Sequence, residues 1–414
     1  MKQPLKVHRT ANALLQNEIN ISIIFNFLRE RGQTFRAEIS RELGISAPAV
    51  SRAVEKLKDL GYVTEFGSVS TGNGRGKKAV PVSIDCSNGF VIGIDVIKDR
   101  LRMAAFDYSG GVVHRHQGFH VADSSDVADD LIGEINSFLQ VTTRKIKGSL
   151  KAICLGVPAI VDEGSARLTA AVLFTNISSV DFPTVLGNQY HVPVFVKNNV
   201  QLAALSENKL GQGRHHKNLI FLEVSAGIGA GIIIDNLIYS GHGGAAGEIG
   251  YHAVNQHELG LGASDRGPME YYASTDAIRE AGMELLRQGV PTLIGERVAG
   301  NEERVTPHIV AECAMDGDLP AAEIMERVAT RLSLACVSLS IILNPAVILF
   351  GGDLCSLPGF EELILEPIRD AVVSSVPFDP PAVEISSLNE DACVIGAGLY
   401  AIESLLRQEY PYQM

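Results

Sequence analysis

The chain has 414 residues, of which 46% are hydrophobic and 20% charged. This length and composition exclude a disordered or fibrous protein and fit two or three domains, each large enough to bury its own core. The cysteines lie far apart without the paired spacing of a zinc or dithiol site, so we expect buried free thiols. The N-terminus lacks a signal-peptide pattern, and the longest apolar stretch, Leu332 to Gly352, is broken at Asn344-Pro345. These features predict a cytoplasmic protein that does not enter a membrane, with a buried helix and a buried strand in that stretch.

The net charge of −13 is unevenly distributed along the chain. Residues 1–80 contain 13 Lys and Arg against 7 Asp and Glu, a net charge of +6, which leaves −19 on the remainder. This asymmetry is expected where only the N-terminal part meets a polyanion such as DNA. We therefore predict a DNA-binding domain at residues 1–84 and a separate α/β domain at residues 85–414.

Three short helices are predicted in the basic N-terminal part. Apolar residues at helical spacing predict a first helix from Leu14 to Arg31, which ends at Gly32. A second helix is expected from about Phe35 to Leu43, with Thr34 as its N-cap. A third is expected from the N-cap Ser46 to about Leu60.

The turn between the second and third helices indicates a helix-turn-helix. Gly44 tolerates a positive φ and so allows a sharp turn, and the third helix would then present its first residues to base edges in the major groove. Small side chains there permit close approach to DNA, and two basic side chains can reach a base or a phosphate. The residues predicted to contact DNA from this helix are Ser46, Ala47, Ala49, Ser51, Arg52 and Lys56.

The segment after the third helix predicts a wing. Residues 61–65 and 79–84 have strand character and flank a glycine-rich basic loop at residues 72–78. Basic side chains on such a loop suit phosphate or minor-groove contact. The predicted contacts are Arg75, Lys77 and Lys78. The alternative is a three-helix interaction module followed by an exposed glycine-rich linker.

Beyond the wing, strands and helices alternate, which is typical of an α/β domain. The predicted elements are strands at 90–95, 101–108, 112–120 and 152–157, with a turn at Gly110-Gly111 and an amphipathic helix at 126–139. A similar order of strands restarts at 218–224, 231–234 and 237–239. The repetition indicates an internal duplication of an α/β unit.

Five motifs in this larger part resemble those of the ROK family. They are Ile92-Gly93-Ile94-Asp95, Asn198-Asn199, Gly227-Ile228-Gly229-Ala230-Gly231, Gly247-Glu248-Ile249-Gly250, and Asn344-Pro345 before Gly351-Gly352. The resemblance covers essentially the whole chain, and the segment Gly243 to Gly250 is its most specific part. It implies a winged helix-turn-helix joined to an actin-like ATPase (ribonuclease H-like) α/β domain. The implied lobes are roughly residues 85–200 with the C-terminal helix and residues 201–390, with a sugar cleft between them.

Three departures from the family's kinases argue against catalysis. The resemblance implies Asp-x-Gly-x-Thr in a first phosphate turn, but Ile97 places a branched side chain where bare backbone is needed. It implies an Asn-Asp pair whose carboxylate is the general base, but an amide, Asn199, stands there. A Gly-Thr-Gly pattern in the second turn is interrupted by Ala226. We therefore predict no catalytic residue, no cofactor and no enzymatic activity.

A metal site is also not expected. The resemblance implies a zinc site made of a His and a Cys-x-Cys-Gly-x-x-Gly-Cys stretch. The corresponding positions carry Tyr251, Leu261, Ala263 and Pro268. His252 and His257 lie nearby without thiolates, and we interpret them as ordinary loop histidines.

Sugar binding, in contrast, is compatible with this sequence. Polar side chains occupy positions that line the family's sugar cleft, and amides are good partners for hydroxyl groups. The predicted ligand residues are Asn176, Asn198, Asn199, Glu248, Tyr251 and Glu270. The alternative for each is a capping or turn residue.

The resulting hypothesis is a repressor of carbohydrate-metabolism genes that binds double-stranded operator DNA as a homodimer or higher homo-oligomer and responds to a sugar or sugar derivative. A change in the placement of the lobes would alter the spacing of the two DNA-binding modules. The segments Asp276–Leu286 and Leu319–Leu343 are candidate dimer or lobe-packing elements. The alternatives are an ATP-dependent sugar kinase with an accessory domain, and a cleft that docks a protein partner instead of a sugar.

Overall fold

We describe the chain from a computed structural model. The described residues are 5–67, 80–97, 101–118, 124, 126–162, 164–170, 177, 179–260 and 266–408. The helices are α1 (Leu5–Arg31), α2 (Arg36–Leu43), α3 (Ala47–Asp59), α4 (Val127–Lys145), α5 (Phe182–Tyr190), α6 (Asn199–Lys209), α7 (Pro268–Ala273), α8 (Thr275–Arg287), α9 (Leu293–Arg297), α10 (Pro307–Met315), α11 (Leu319–Leu343), α12 (Glu366–Ser375) and α13 (Ala392–Gln408).

The strands are β1 (Thr34–Phe35), β2 (Val63–Glu65), β3 (Pro81–Ile84), β4 (Gly89–Val96), β5 (Leu101–Asp107), β6 (Val112–Gln117), β7 (Ser149–Val157), β8 (Ile160–Val161), β9 (Leu168–Ala170), β10 (Val194–Asn198), β11 (Leu219–Val224), β12 (Ile228–Ile234), β13 (Leu237–Ile238), β14 (Val347–Gly351) and β15 (Ala382–Ile385). The chain divides into two compact units. The first comprises residues 1–155, 180–196 and 397–414, and the second residues 156–179 and 197–396. The boundaries predicted at residues 84, 200 and 390 stay predictions.

The N-terminal part has the predicted winged helix-turn-helix fold. Helices α1, α2 and α3 are followed by strands that form a three-stranded sheet in the order β1-β3-β2. The three helices bury apolar side chains on their facing sides, which is how short amphipathic helices gain stability. The buried residues include Ile24, Phe25 and Leu28 of α1, Ile39 of α2, and Val50, Val54 and Leu57 of α3.

Two local expectations in this part were wrong. Helix α1 begins at Leu5, nine residues before the predicted Leu14. Thr34 is not the N-cap of α2 but lies in β1, which pairs with β3. Its hydroxyl donates to the Glu38 carboxylate at 2.6 Å, and the Phe35 N–H donates to the same carboxylate at 3.4 Å. Phe35 therefore occupies the cap position, because Glu38 reaches back to its backbone.

Each unit contains a five-stranded sheet with the same arrangement. The first sheet has the strand order β10-β7-β4-β5-β6. Starting from the corresponding edge, the second sheet has the order β15-β14-β11-β12-β13. In each sheet, the strand that comes first in the chain lies in the centre and pairs antiparallel with the next strand of the chain. These pairs are β4 with β5 and β11 with β12. In the second sheet, β14 then pairs parallel with β11 and with β15. The matching orders agree with the predicted duplication of an α/β unit.

Burial follows the prediction for most but not all of the apolar stretches. Strand β14 is buried throughout, whereas α11 exposes Leu334, Ile341 and Ile342, so the prediction of a wholly buried helix was wrong. Four of the cysteines are buried and Cys355 is half-buried, but Cys86 is exposed, contrary to expectation. Among the described residues, no helix is both long and apolar enough to cross a membrane.

Candidate DNA-binding surface and ligand site

Helix α3 follows α2 directly through a glycine turn. Gly44 has a φ of +65°, which is the left-handed conformation that favours glycine. The Ser40 hydroxyl donates to the Ile45 carbonyl at 2.6 Å and so fixes the turn. Ser46 occupies the N-cap position of α3, as predicted from the sequence, although its side chain makes no capping hydrogen bond.

The outer face of α3 carries the residues predicted to contact DNA, with one exception. Ser46, Ala47, Arg52 and Lys56 are exposed, and Ser51 is half-buried. Ala49 was expected to point outward, but only 8% of its surface is exposed. It precedes Ala53 by one helical turn and therefore lies on the buried stripe of the helix. That stripe consists of Ala49, Val50, Ala53, Val54 and Leu57.

An ion-pair cluster joins α2, α3 and the first wing strand. The Arg36 guanidinium contacts the Glu55 carboxylate at 2.5 Å and the Glu65 carboxylate at 2.6 Å. The Lys58 ammonium adds a contact to Glu65 at 2.9 Å. Hydrogen bonding from Arg36 lowers the pKa of Glu55, so this carboxylate on α3 stays ionised and paired. The cluster joins the wing strand to α3. Its two cations, Arg36 and Lys58, also balance the negative charges of Glu55 and Glu65 beside the predicted DNA-binding face.

The wing prediction is confirmed at its two strands. Strands β2 and β3 pair antiparallel, with Val63 opposite Ile84. The residues of the basic loop predicted to contact DNA lie outside the described residues. They are Arg75, Lys77 and Lys78.

In the second unit, the glycine-rich segment 241–250 packs closely against two strands. Gly244 has a φ of +83°, and a Cβ there would lie 1.9 Å from the Val161 carbonyl oxygen. Gly247 has a φ of +94°, and its Cβ would lie 1.8 Å from the Ala230 carbonyl oxygen. The Ala230 N–H donates to the Gly247 carbonyl at 2.8 Å. Only glycine allows this approach, which positions the following Glu248.

The turn between β11 and β12, which corresponds to the second phosphate turn, satisfies several of its polar groups internally. The Ser225 N–H donates to the Gly227 carbonyl, and the Ile228 N–H donates to Glu270 Oε1 at 3.0 Å. The Ser225 hydroxyl accepts the Asp353 N–H at 2.9 Å. Backbone N–H groups are what such a turn offers to a phosphate. The Ser225 and Ile228 N–H groups are instead engaged by protein acceptors.

The predicted ligand residues have different local roles. Asn198 caps α6, since its Oδ1 accepts the N–H groups of Val200 at 2.9 Å and Gln201 at 3.1 Å. Its Nδ2 donates to the Ala159 carbonyl at 3.2 Å. This is the capping alternative foreseen for Asn198. Asn199, the next residue, is 7% exposed and begins the helix.

The remaining described ligand residues form an acidic group beside the glycine-rich segment. Glu270 accepts the Ile228 N–H and, at 3.2 Å, the Gly267 N–H, so it anchors the turn as well as contributing charge. Burial and then the charge of Glu270 raise the pKa of Glu248. Burial also raises the pKa of Tyr251, and both carboxylates add to that effect. Asn176 lies outside the described residues.

The first phosphate turn is approached by a cation. Asp95 lies on β4 opposite Arg102 of β5, with 4.0 Å between the Asp95 carboxylate and the Arg102 guanidinium. Both side chains are largely buried. The Asp95 carboxylate therefore has a cationic side chain of the neighbouring strand beside it.

The short segment from Asn255 to Glu258 is held by an ion pair that sequence reasoning missed. Glu258, 3% exposed, accepts Arg331 at 2.6 Å and the Asn255 side chain at 2.6 Å. Arg331 also lies over the Tyr272 ring, 4.0 Å from its centroid. The two charged residues are 73 positions apart, so no local motif signals them. Among the described residues, no cluster of three or more potential metal ligands is found.

The comparisons with known proteins agree with this architecture. Residues 91–404 match the ROK family, and residues 22–75 match the MarR family. The chain is 26% identical over 404 residues to a xylose repressor of Caldicellulosiruptor bescii, which covers 95% of this chain and 98% of that protein.

Two solved structures share the fold. A ROK family transcriptional regulator, described as a homologue of the E. coli MLC protein, superposes with a TM-score of 0.79 at 20% identity, covering 94% of this chain and 96% of the other. A ROK family glucokinase of Streptomyces griseus gives a TM-score of 0.62 at 23% identity, covering 76% and 99%. Since the family match spans most of the residues and the fold agrees throughout, this chain is a member of the ROK family.

Proposed function

We propose that this protein is a sequence-specific transcriptional repressor of carbohydrate-metabolism genes, acting in the cytoplasm, whose kinase-fold part binds a sugar without phosphorylating it. The observation that carries the proposal is the outer face of α3. It presents Arg52 and Lys56 beside small side chains, on a helix held to α2 by the Gly44 turn. A helix of this kind reads base edges in the major groove.

The contacts with DNA divide into base readout and phosphate contact. Arg52 lies one turn after the exposed Pro48 and within reach of a base edge, and Lys56 follows Arg52 by another turn. Ser46, Ala47 and Ser51 allow α3 to approach the groove. Arg75, Lys77 and Lys78 of the wing contact phosphates or the minor groove.

The sugar is bound at the glycine-rich segment and the start of α6. Asn199 and Glu248 offer an amide and a carboxyl group to hydroxyls, while Tyr251 forms an edge of the site. Asn198 and Glu270 hold the backbone of the site, and Asn176 completes the set. Because the relative described above is named a xylose repressor, xylose is the first sugar to test.

The kinase alternative is disfavoured by the chemistry of the same residues. Asn199 has no carboxylate to take a proton from a sugar hydroxyl, and the Ile228 N–H is donated to Glu270. An assay of ATP-dependent phosphorylation of xylose, glucose and N-acetylglucosamine separates the two functions. We expect no sugar-dependent ATP turnover, and turnover at ordinary kinase rates would contradict the proposal.

We further propose that the protein is a homodimer that uses the C-terminal half of α11. Leu334, Ile341 and Ile342 are 45%, 56% and 74% exposed. Their spacing of seven and eight residues places them on one face of the helix, which is a self-complementary apolar stripe suited to a twofold interface. Analytical ultracentrifugation should show that Ile342→Glu lowers the dimer fraction, whereas Thr143→Glu, at an exposed position of α4, should not. Equal sedimentation of both variants and the parent would contradict this interface.

The function itself is tested with DNA selected from a random duplex library by the full-length protein. The wild type should enrich a defined, twofold-symmetric sequence, and the Arg52→Ala variant should not enrich the same sequence. Failure of the wild type to enrich any sequence would overturn the repressor proposal.

A further inference from the structure

The ion-pair cluster of the winged part joins three elements through one side chain. Arg36 is the first residue of α2, and its guanidinium contacts Glu55 of α3 and Glu65 of β2. We propose that Arg36 and Glu65 are positioning residues for DNA binding. They fix the wing strand β2 beside α3, so that the helix and the wing meet one duplex together. This inference rests on the proposed function and assigns a role in it to two residues outside the predicted contact set.

The guanidinium of Arg36 is shared between the strand and the helix. Its Nε and Nη2 donate to Glu65 Oε1 at 3.1 and 2.6 Å, and Nη2 also donates to Glu55 Oε1 at 2.5 Å. Its Nη1 lies 3.5 Å from the Ser51 carbonyl oxygen, one turn before Glu55. An arginine presents its N–H groups in a planar fork with fixed directions, so these contacts define the distance between β2 and α3. The contact at Ser51 is next to Arg52, the residue proposed to read a base edge.

Strand β2 needs a second anchor because it is short and lies at an edge. It has three residues and pairs with β3 at one edge of the described three-stranded sheet. Glu65 is its last residue, and the basic loop at residues 72–78 begins seven positions later. Short edge pairs are marginal without further support. A side-chain anchor on Glu65 therefore sets the point from which the chain continues into the wing.

The location of Arg36 points to positioning rather than to folding. A cation in the first turn of a helix faces the positive end of the helix dipole, where acids are preferred. The ion pair with Glu55 is partly exposed, with 25% and 51% of the two side chains accessible, and such pairs add little to stability. The three helices share an apolar core that does not include this pair, in which Ile39, Val50 and Val54 are fully buried. Loss of the cluster should therefore leave the helices folded.

The charge balance of the cluster determines the sign of the test. Lys58 contacts Glu65 at 2.9 Å and Glu55 at 3.4 Å, so two cations face two carboxylates. Removing a carboxylate beside a DNA-binding face makes that face more positive, and electrostatics alone would then strengthen DNA binding. Positioning predicts the opposite result, because a displaced wing loses its phosphate contacts. A substitution at Glu65 therefore separates the two effects.

Glu65→Thr is the test variant, made in the full-length protein. Threonine keeps the preference for a strand and is too short to reach Arg36 or Lys58. The affinity for the selected operator should fall about tenfold or more. A plot of the logarithm of the binding constant against the logarithm of the salt concentration should become shallower by about 2 to 3, because several phosphate contacts are lost. Asp59→Asn is the matched control, since it removes one negative charge at an exposed position of α3 outside the cluster, and it should bind at least as tightly as the wild type.

A measurement without DNA follows the strand itself. The Phe66 N–H, directly after β2, donates to the Pro81 carbonyl at 3.1 Å, and hydrogen exchange with mass spectrometry reports the opening of this pairing. Exchange at residues 62–66 should rise about threefold in Glu65→Thr, which is the size of effect that partly exposed ion pairs supply. Exchange at residues 50–57 of α3 should be unchanged. Adding Arg36→Met to Glu65→Thr should not raise exchange at residues 62–66 further, because the shared contact is already absent.

Three results would overturn the positioning role. The first is unchanged exchange at residues 62–66, and the second is operator binding by Glu65→Thr as tight as binding by Asp59→Asn. The third is weaker binding together with raised exchange in α3, which would mean general destabilisation of the winged part. Absent operator selection by the wild type would instead overturn the proposed function, and exchange without DNA would still decide whether the cluster holds β2.

Discussion

The winged part and the ligand segment use polar side chains in opposite ways. On α3, Arg52 and Lys56 are exposed, and the nearby acid Glu55 is paired with Arg36. In the ligand segment, the carboxylates are partly or largely shielded from water, and Glu270 accepts two backbone N–H groups. In the proposed function, the exposed cations of α3 meet DNA, and the ligand segment holds a fixed backbone around a small neutral ligand.

The two regions should therefore respond differently to substitution. The proposed DNA face consists of exposed side chains such as Arg52 and Lys56, so their loss should affect binding and leave folding intact. The ligand segment depends on its backbone, since glycines and accepting carboxylates define its shape. Changes there should affect stability first and binding as a consequence.

The largest effect is expected from Gly247→Ala in the ligand segment. The new Cβ would overlap the Ala230 carbonyl oxygen at 1.8 Å in a backbone with a φ of +94°. Strain and overpacking together should lower the free energy of unfolding by about 3–5 kcal/mol. Chemical denaturation of the full-length protein measures this change.

Gly243→Ala is the matched control for that variant. Gly243 also has a positive φ, +69°, but a Cβ there meets nothing within 4 Å. Its substitution should cost about 1 kcal/mol from the backbone alone. Equal losses for the two variants would mean that close packing against β12 does not determine the shape of the segment.

A smaller, purely functional effect is expected from Arg52→Ala. Loss of a base contact should weaken binding to the selected operator by about 1–3 kcal/mol and relax sequence preference at one position. Thermal unfolding should be unchanged, because Arg52 is exposed. Arg144→Ala, an equal charge change at an exposed position of α4, should leave the operator affinity unaltered. A similar loss for both variants would assign the effect to net charge rather than to α3.

The smallest effect is the pH dependence of Glu248. Its raised pKa means that ionisation is less favourable in the folded protein than in the unfolded chain, so the ionised form destabilises at neutral pH. Glu248→Gln should therefore raise the melting temperature at pH 7, and the gain should shrink as the pH falls through the raised pKa toward the ordinary value near 4.5. Glu323→Gln on the exposed face of α11 is the control, and a gain that persists at pH 4 would contradict the shift.

The sequence was most informative where function depends on local pattern. Gly44 and the spacing around it predict the helix-turn-helix, because the turn and both helices are encoded within a few residues. Ala49 was misplaced because small residues occur on both sides of α3. The contact between Arg29 and Glu403 joins residues 374 positions apart, and only the folded chain brings them together. Likewise Glu270, expected as a ligand residue, also anchors the turn by accepting the Ile228 N–H from 42 positions away, a contact that leaves no local motif.

DNA binding by α3 under the control of a sugar can be measured by fluorescence anisotropy of the selected operator duplex. The duplex is titrated with full-length protein with and without xylose, glucose or N-acetylglucosamine. We expect salt-dependent binding with a Kd of about 10⁻⁸ M or lower, and one of these sugars should change that Kd by about 5- to 150-fold. Affinity for the operator no greater than for random duplex, with every sugar and without any, would contradict it.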